Sequence, residues 1–179
     1  FVEEKVKEDT RRLTSFLRRQ GYLDASVRAE WKIKKVSDDR GVAIITFHIR
    51  EGALYKVRDV RFAGEYRLPV DKLRELVTVR KGAPFKQDEL EHSAEAILKE
   101  LHKQGHVSAR VVPEWTVGVE GDLVSVVFNI HAGPVVRIRR VLIRGNVTTR
   151  DDVIRRELSI YPGDLCDLNE LRSSLNRLY

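Results

Sequence analysis

Between residues 55 and 130 the spacing of apolar residues switches from two to about 3.6 and back to two. Tyr55-Lys56-Val57-Arg58-Asp59-Val60-Arg61-Phe62 has period-two character with branched residues at 57 and 60, which predicts a strand ended by Gly64. Val70, Leu73, Leu76 and Val77 then mark one face of a helix over Val70 to Val79. Pro69 precedes it, where a missing N–H costs least. Lys81-Gly82-Ala83-Pro84 breaks that helix. A second helix follows over Asp88 to Gln104, with Leu90, Ala94, Ile97, Leu98 and Leu101 inward and Gly105 at its left-handed cap. Val107 to Val117 and Leu123 to Ile130 read as two strands around a turn at Val119-Glu120-Gly121-Asp122. The predicted order is strand, helix, helix, strand, strand.

The same pattern is written elsewhere in the chain. Gln20-Gly21-Tyr22 returns, shifted by 84, as Gln104-Gly105-His106, and Glu30-Trp31 returns as Glu114-Trp115. After the hairpin turn the spacing shortens to 81: Phe47 meets Phe128, Gly52 meets Gly133, Gly64 meets Gly145 and Leu90 meets Leu171. A period of about 80 residues signals tandem small domains, and it directs the search for function toward what such units do together. The boundaries drawn from it are 1–53, a C-terminal part; 54–134, a complete unit; and 135–179, an N-terminal part. Phe1 to Gln20 would supply the second helix of the first unit, with Ala25 to Lys34 and Val42 to Ile49 its hairpin. Val136 to Arg144, Arg150 to Leu158 and Asp167 to Tyr179 would open the third. Both ends fall inside expected helices, so a longer parent chain is expected.

This order predicts an α+β unit, a small mixed three-stranded sheet covered by two helices on one face. The third strand is expected at the centre. Pro113 places the second at an edge, because proline cannot donate to a ladder.

Composition removes several alternatives. No apolar run approaches the roughly 18 residues of a membrane-spanning helix. The single cysteine, Cys166, excludes an internal disulfide framework and a multi-cysteine zinc site. His102 and His106 are four apart but straddle Gly105, and the other histidines show no ligand spacing, so no metal or cofactor is expected. With no Gly-rich phosphate loop and no nucleophile elbow either, the chain does not read as an enzyme. The net charge of +6 invites a nucleic-acid reading, yet Lys and Arg alternate with Asp and Glu along the helices. KH domains share the element order but need a Gly-x-x-Gly loop, and the linkers here carry a single glycine, so no nucleic-acid partner is expected. Arg137, Arg139, Arg140, Arg144, Arg150, Arg155 and Arg156 are the exception to the mixing. They read either as a solvated surface or as one facing an anionic partner or lipid headgroups.

A Gly after the first strand, Gly82-Ala83-Pro84-Phe85 between the helices and Gly21-Tyr22 after the second helix resemble the POTRA domain. The third copy, Val141-Leu142-Ile143-Arg144-Gly145-Asn146 through Glu157-Leu158 and Gly163-Asp164, resembles the last POTRA unit of BamA-like outer-membrane β-barrel assembly factors. The resemblance implies a periplasmic module at the outer membrane that receives unfolded outer-membrane proteins, holds accessory lipoproteins and leads into a C-terminal membrane β-barrel. Translocation-assembly and two-partner secretion transporters share the same repeats. Two positions depart from the family pattern: Cys166 replaces an aromatic, and His106 stands where Tyr22 stands in the first unit. Both read as packing.

Sheet edges give these units a way to hold extended clients, because strand addition uses backbone bonds that do not depend on client sequence. The candidate client-binding positions are Ala25, Val27, Ala29, Trp31 and Ile33 on the proline-free strand of the first unit, and Val107, Ala109 and Val111 on the middle one. Trp31 and Trp115 read as core or junction packing. Arg155, Arg156 and Glu157 match a family surface used with an accessory lipoprotein.

Overall fold

The computed structural model describes residues 3–37, 40–119 and 121–178. Its elements are α1 (Glu3–Arg19), β1 (Ser26–Ser37), β2 (Arg40–Arg50), β3 (Lys56–Glu65), α2 (Val70–Leu76), α3 (Gln87–Lys103), β4 (Arg110–Val117), β5 (Leu123–His131), α4 (Asp151–Glu157) and α5 (Leu168–Leu178). The expected positions at Phe1, Glu120 and Tyr179 lie outside the described residues.

Contacts gather the chain into two compact bodies. One comprises the residues up to Asp59 with Val79–Glu89 and Thr116–Ser125; the other comprises Val60–Thr78, Leu90–Trp115 and the residues from Val126 onward.

In the first body β1 and β2 form an antiparallel hairpin, with Val27 opposite Ile49, Ala29 opposite Phe47, Trp31 opposite Ile45 and Ile33 opposite Ala43. Directly opposed residues share a face, so these eight side chains make one apolar surface, and α1 packs along β1. Acidic residues begin α1 and basic residues end it, which complements the helix dipole. Gly21 closes the helix with φ +100°: its N–H bonds the Arg18 carbonyl (3.1 Å) and the Tyr22 N–H bonds Leu17 (3.1 Å).

The middle sheet has the order β3-β5-β4. The third strand of the unit is therefore central and the proline-bearing β4 an edge, as the sequence predicts. The Lys56 N–H bonds the Asp122 carbonyl (2.8 Å) and the Ala132 N–H bonds that of Glu65 (2.9 Å), so β3 and β5 run parallel, while β4 and β5 form a hairpin. The sheet is mixed. Val124, Val126, Phe128 and Ile130 alternate along β5 and are at most 1% exposed, because a central strand under a helix layer buries one whole face. Phe128 stacks on Phe62 with ring centroids 5.9 Å apart.

Several expectations need correction. Gly64 does not end the first strand, which runs on to Glu65; a Cβ there would lie 2.3 Å from the Ile130 carbonyl oxygen, so glycine serves close strand approach. The first helix stops at Leu76 rather than Val79, because Val77 is extended (φ −86°, ψ 127°), and the branched run Val77-Thr78-Val79 disfavours a further turn. β4 starts at Arg110, three residues later than expected. Residues 138–146 form no strand; Arg137 makes an isolated bridge to Leu165, and no neighbouring strand is present among the described residues to complete a ladder. Cys166 is half-buried, whereas Phe85 at the same repeat position is fully buried.

Candidate polypeptide-binding edges and partner surface

Among the described residues only β5 has a strand on both sides; β1 and β4, which carry the candidate edge residues, are paired on one side only, as are β2 and β3. Of the candidates in the first unit, Val27, Ala29, Trp31 and Ile33 alternate along β1 on its apolar face. Ile33 is exposed and the other three are half-buried. Ala25 does not belong with them. It is fully buried ahead of the strand, with its N–H bonded to the Tyr22 carbonyl (2.9 Å) and its own carbonyl accepting from Arg18 Nε (3.3 Å).

The middle unit offers a shorter edge. Val111 lies in β4, but Val107 and Ala109 precede it in a turn where their N–H groups bond the carbonyls of Gly105 (3.0 Å) and His106 (3.1 Å). A donor committed to a local turn is not free for an incoming strand. β4 continues through half-buried Pro113, which contributes no donor. Trp115 is 38% exposed and Trp31 half-buried, so of the two expected roles, core or junction packing, the first does not hold for either tryptophan. Both stand on strands that the sheet order puts at an edge.

Arg155, Arg156 and Glu157 occupy the last turn of α4, and all three are exposed. Arg155 pairs with Asp151 one turn earlier (3.3 Å), an exposed contact worth little to stability. Among the described residues no group of three or more His, Cys, Asp or Glu side chains is placed to hold a metal ion. No helix among them is long and apolar enough to cross a membrane.

Sequence reasoning missed two features, both repeated. Ser93 and Ser174, fully buried, accept the backbone N–H of Thr78 and Ser159, each at 3.1 Å. Their spacing of 81 residues was the available signal, masked by their polarity within an apolar helix face. The second feature is the joint between successive units. The Tyr55 N–H bonds the Gly21 carbonyl (2.9 Å), and the Val136 N–H bonds that of Gly105 (2.9 Å). Beyond each joint the return bonds repeat too: Phe85 N–H to Tyr55 and Cys166 N–H to Val136, both 2.8 Å.

Side chains distinguish the two joints. The Tyr55 hydroxyl donates to Asp24 (3.0 Å), and that bond, then burial and the negative charges of Asp24 and Asp122, raise the phenol's pKa above its ordinary value. At the second joint, buried His106 places Nδ1 2.9 Å from the Gly133 carbonyl oxygen, fulfilling its expected packing role. His102 nearby is held below the usual histidine range by burial and by Arg172, with Asp167 opposing.

The chain matches a known family model, described as "POTRA: Surface antigen variable number repeat", at residues 1–52, 55–133 and 136–179. The chain belongs to the POTRA family. The outer membrane protein assembly factor BamA of Neorickettsia risticii is 29% identical over 99% of this chain, and that of Nitratidesulfovibrio vulgaris is 29% identical over 98%. The chain spans 24% and 22% of those two relatives. The crystal structure of BamA POTRA3-5 from Haemophilus influenzae superposes with a TM-score of 0.68 at 19% identity, over 97% of this chain and 68% of that one. At that identity the likeness speaks to the fold: tandem POTRA units with a mixed three-stranded sheet.

Proposed function

We propose that this chain is a periplasmic polypeptide-binding and scaffold module of an outer-membrane β-barrel assembly protein. Residues 1–53 are the C-terminal part of one POTRA domain, 54–134 a complete domain and 135–179 the N-terminal part of a further one, leading toward a membrane barrel. Unfolded outer-membrane polypeptides add as strands at the β1 edge, and at lower occupancy at β4. Accessory lipoproteins dock on the Arg155, Arg156 and Glu157 turn of α4. The module binds and positions; it performs no covalent chemistry.

The observation that carries this reading is β1 itself. It is a twelve-residue strand without proline, with a strand neighbour on one side only among the described residues and an apolar face through Val27, Ala29, Trp31 and Ile33. Long, flat, apolar edges template pairing with other chains, and weak broad binding is what a conveyor of many clients requires. Names of the relatives supply the setting.

Titrating the chain with peptides from outer-membrane barrel strands, followed by NMR, gives small shifts along Ser26 to Lys34 and the adjoining α1. Shifts confined to the arginine-rich segment, or none at millimolar peptide, overturn strand addition. Fractionation of cells producing the parent protein places it with the outer membrane; a cytosolic pool overturns the setting.

A further inference from the structure

From Leu123 to Arg150 the chain has no Asp or Glu and five arginines. The same 28 positions one repeat earlier, Val42 to Pro69, also carry five basic residues (Arg50, Lys56, Arg58, Arg61, Arg67) but include Glu51, Asp59 and Glu65. Local charge therefore rises from +2 to +5 solely through loss of acids. Their counterparts are Ala132, Arg140 and Asn146.

Three of these five arginines are not used internally. Arg137 reaches the Gly163 carbonyl and Arg150 pairs with Asp152, but Arg139, Arg140 and Arg144 make no ion pair or side-chain hydrogen bond among the described residues. Apolar side chains stand among them, with Leu142 59% exposed and Val147 95% exposed. The openness of 142 does not rest on a missing strand alone: its counterpart Arg61 is exposed in β3, which is paired with β5, as is Arg58, the counterpart of Arg139, while Asp59, Ala63 and Tyr66, the counterparts of Arg140, Arg144 and Val147, are half-buried there. An exposed charged position has become apolar between unpaired arginines.

We infer that Arg139, Arg140, Leu142, Arg144 and Val147 form a surface for anionic phospholipid headgroups. Guanidinium groups pair with lipid phosphates, while Leu142 and Val147 enter the boundary between headgroups and acyl chains. A nucleic acid or an acidic polypeptide without apolar side chains would satisfy the arginines and leave the two aliphatics in water. The surface lies outside β1 and β4, so it stands or falls separately from strand addition.

Co-sedimentation of the 179-residue chain with phosphatidylcholine vesicles, with and without phosphatidylglycerol, tests this. The chain partitions onto the anionic vesicles and not onto the neutral ones. Arg139→Gln, Arg140→Gln and Arg144→Gln together lower partitioning by about 100-fold, from about five-fold for each basic residue near an anionic surface. The triple variant Lys5→Gln, Arg11→Gln, Arg19→Gln changes net charge equally on α1 and leaves partitioning near the parent value. Leu142→Ser with Val147→Ser removes the part of binding that resists added salt, since screening weakens only the charged contribution. Equal losses in the two triple variants overturn the site in favour of net charge alone. Arginine-dependent binding to RNA or polyglutamate with no vesicle binding assigns the surface to an acidic macromolecule and overturns the lipid. Saturable displacement from vesicles by inorganic phosphate, beyond that by chloride at equal ionic strength, points to a free-anion site and overturns it too.

Discussion

The first hairpin and the middle sheet carry the same apolar positions to opposite ends of the burial scale. Val124, Val126, Phe128 and Ile130 of β5 are sealed, whereas of their counterparts on β2 Ala43, Ile45 (41%) and Ile49 (52%) are exposed and Phe47 is half-buried. What differs is the strand β3 and the helix α2, which have no counterpart in the first hairpin among the described residues. In the middle unit the parallel neighbour and the first helix stand beside the row that is sealed.

The largest test of that contrast is truncation of its central pair. Phe128→Ala should destabilise the chain by about 3–5 kcal/mol in urea unfolding, and Phe47→Ala by less than about 2 kcal/mol, since a half-buried ring has less to lose. Equal values would mean that the first hairpin is closed by something else. A second pair compares glycines at one repeat position. Gly64 has φ +89° with its would-be Cβ against the Ile130 carbonyl, whereas Gly145 has φ +85° with nothing within 4 Å. Gly64→Ala should therefore lower stability by about 3 kcal/mol, left-handed strain plus a clash, and Gly145→Ala by about 1 kcal/mol from strain alone.

Buried serines should break the pattern of difference. Ser93→Ala and Ser174→Ala each remove the same bond to a backbone N–H, so both should cost about 1 kcal/mol by thermal unfolding. A large gap between them would show that the third unit's helices pack differently. The smallest effects are those of pH, where the two joints should fail in opposite directions. Tyr55 has a raised pKa when folded, so its contribution is present below the ordinary phenol value near 10 and is lost as pH rises through the folded value. Tyr55→Phe should flatten that alkaline limb. His102 has a lowered pKa, so its contribution is present above about 6.5 and is lost as pH falls toward the folded value, because the unfolded chain takes up the proton first. His102→Asn should flatten the acid limb.

Much of the architecture was legible in the sequence for specific reasons. Gly21 and Gly105 directly follow the helices predicted to end at Gln20 and Gln104, so both caps could be read directly. Pro113 put β4 at an edge before any pairing was known. What could not be read depended on partners distant in sequence. Gly64 looked like a stop signal because the Ile130 carbonyl that crowds it lies 66 residues away. Val107 and Ala109 continue the alternation of β4, and only the turn bonds to Gly105 and His106 withdraw them. Val136 to Arg144 has the pattern of a strand, but a strand exists only where another backbone completes it. The role proposed for Arg155, Arg156 and Glu157 came from a resemblance, and what the fold adds is their exposure on a seven-residue helix in which no residue is buried.

The bond from Tyr55 N–H to Gly21, repeated from Val136 to Gly105, contains main-chain atoms alone. A coupling of that kind is indifferent to the side chains around it, provided a glycine remains at the helix end. Successive units can therefore diverge in charge, in edge length and in surface chemistry while the connector stays interchangeable. That separation lets one segment become acid-free and arginine-rich while another keeps a long apolar edge, each specialising without renegotiating its attachment to the next.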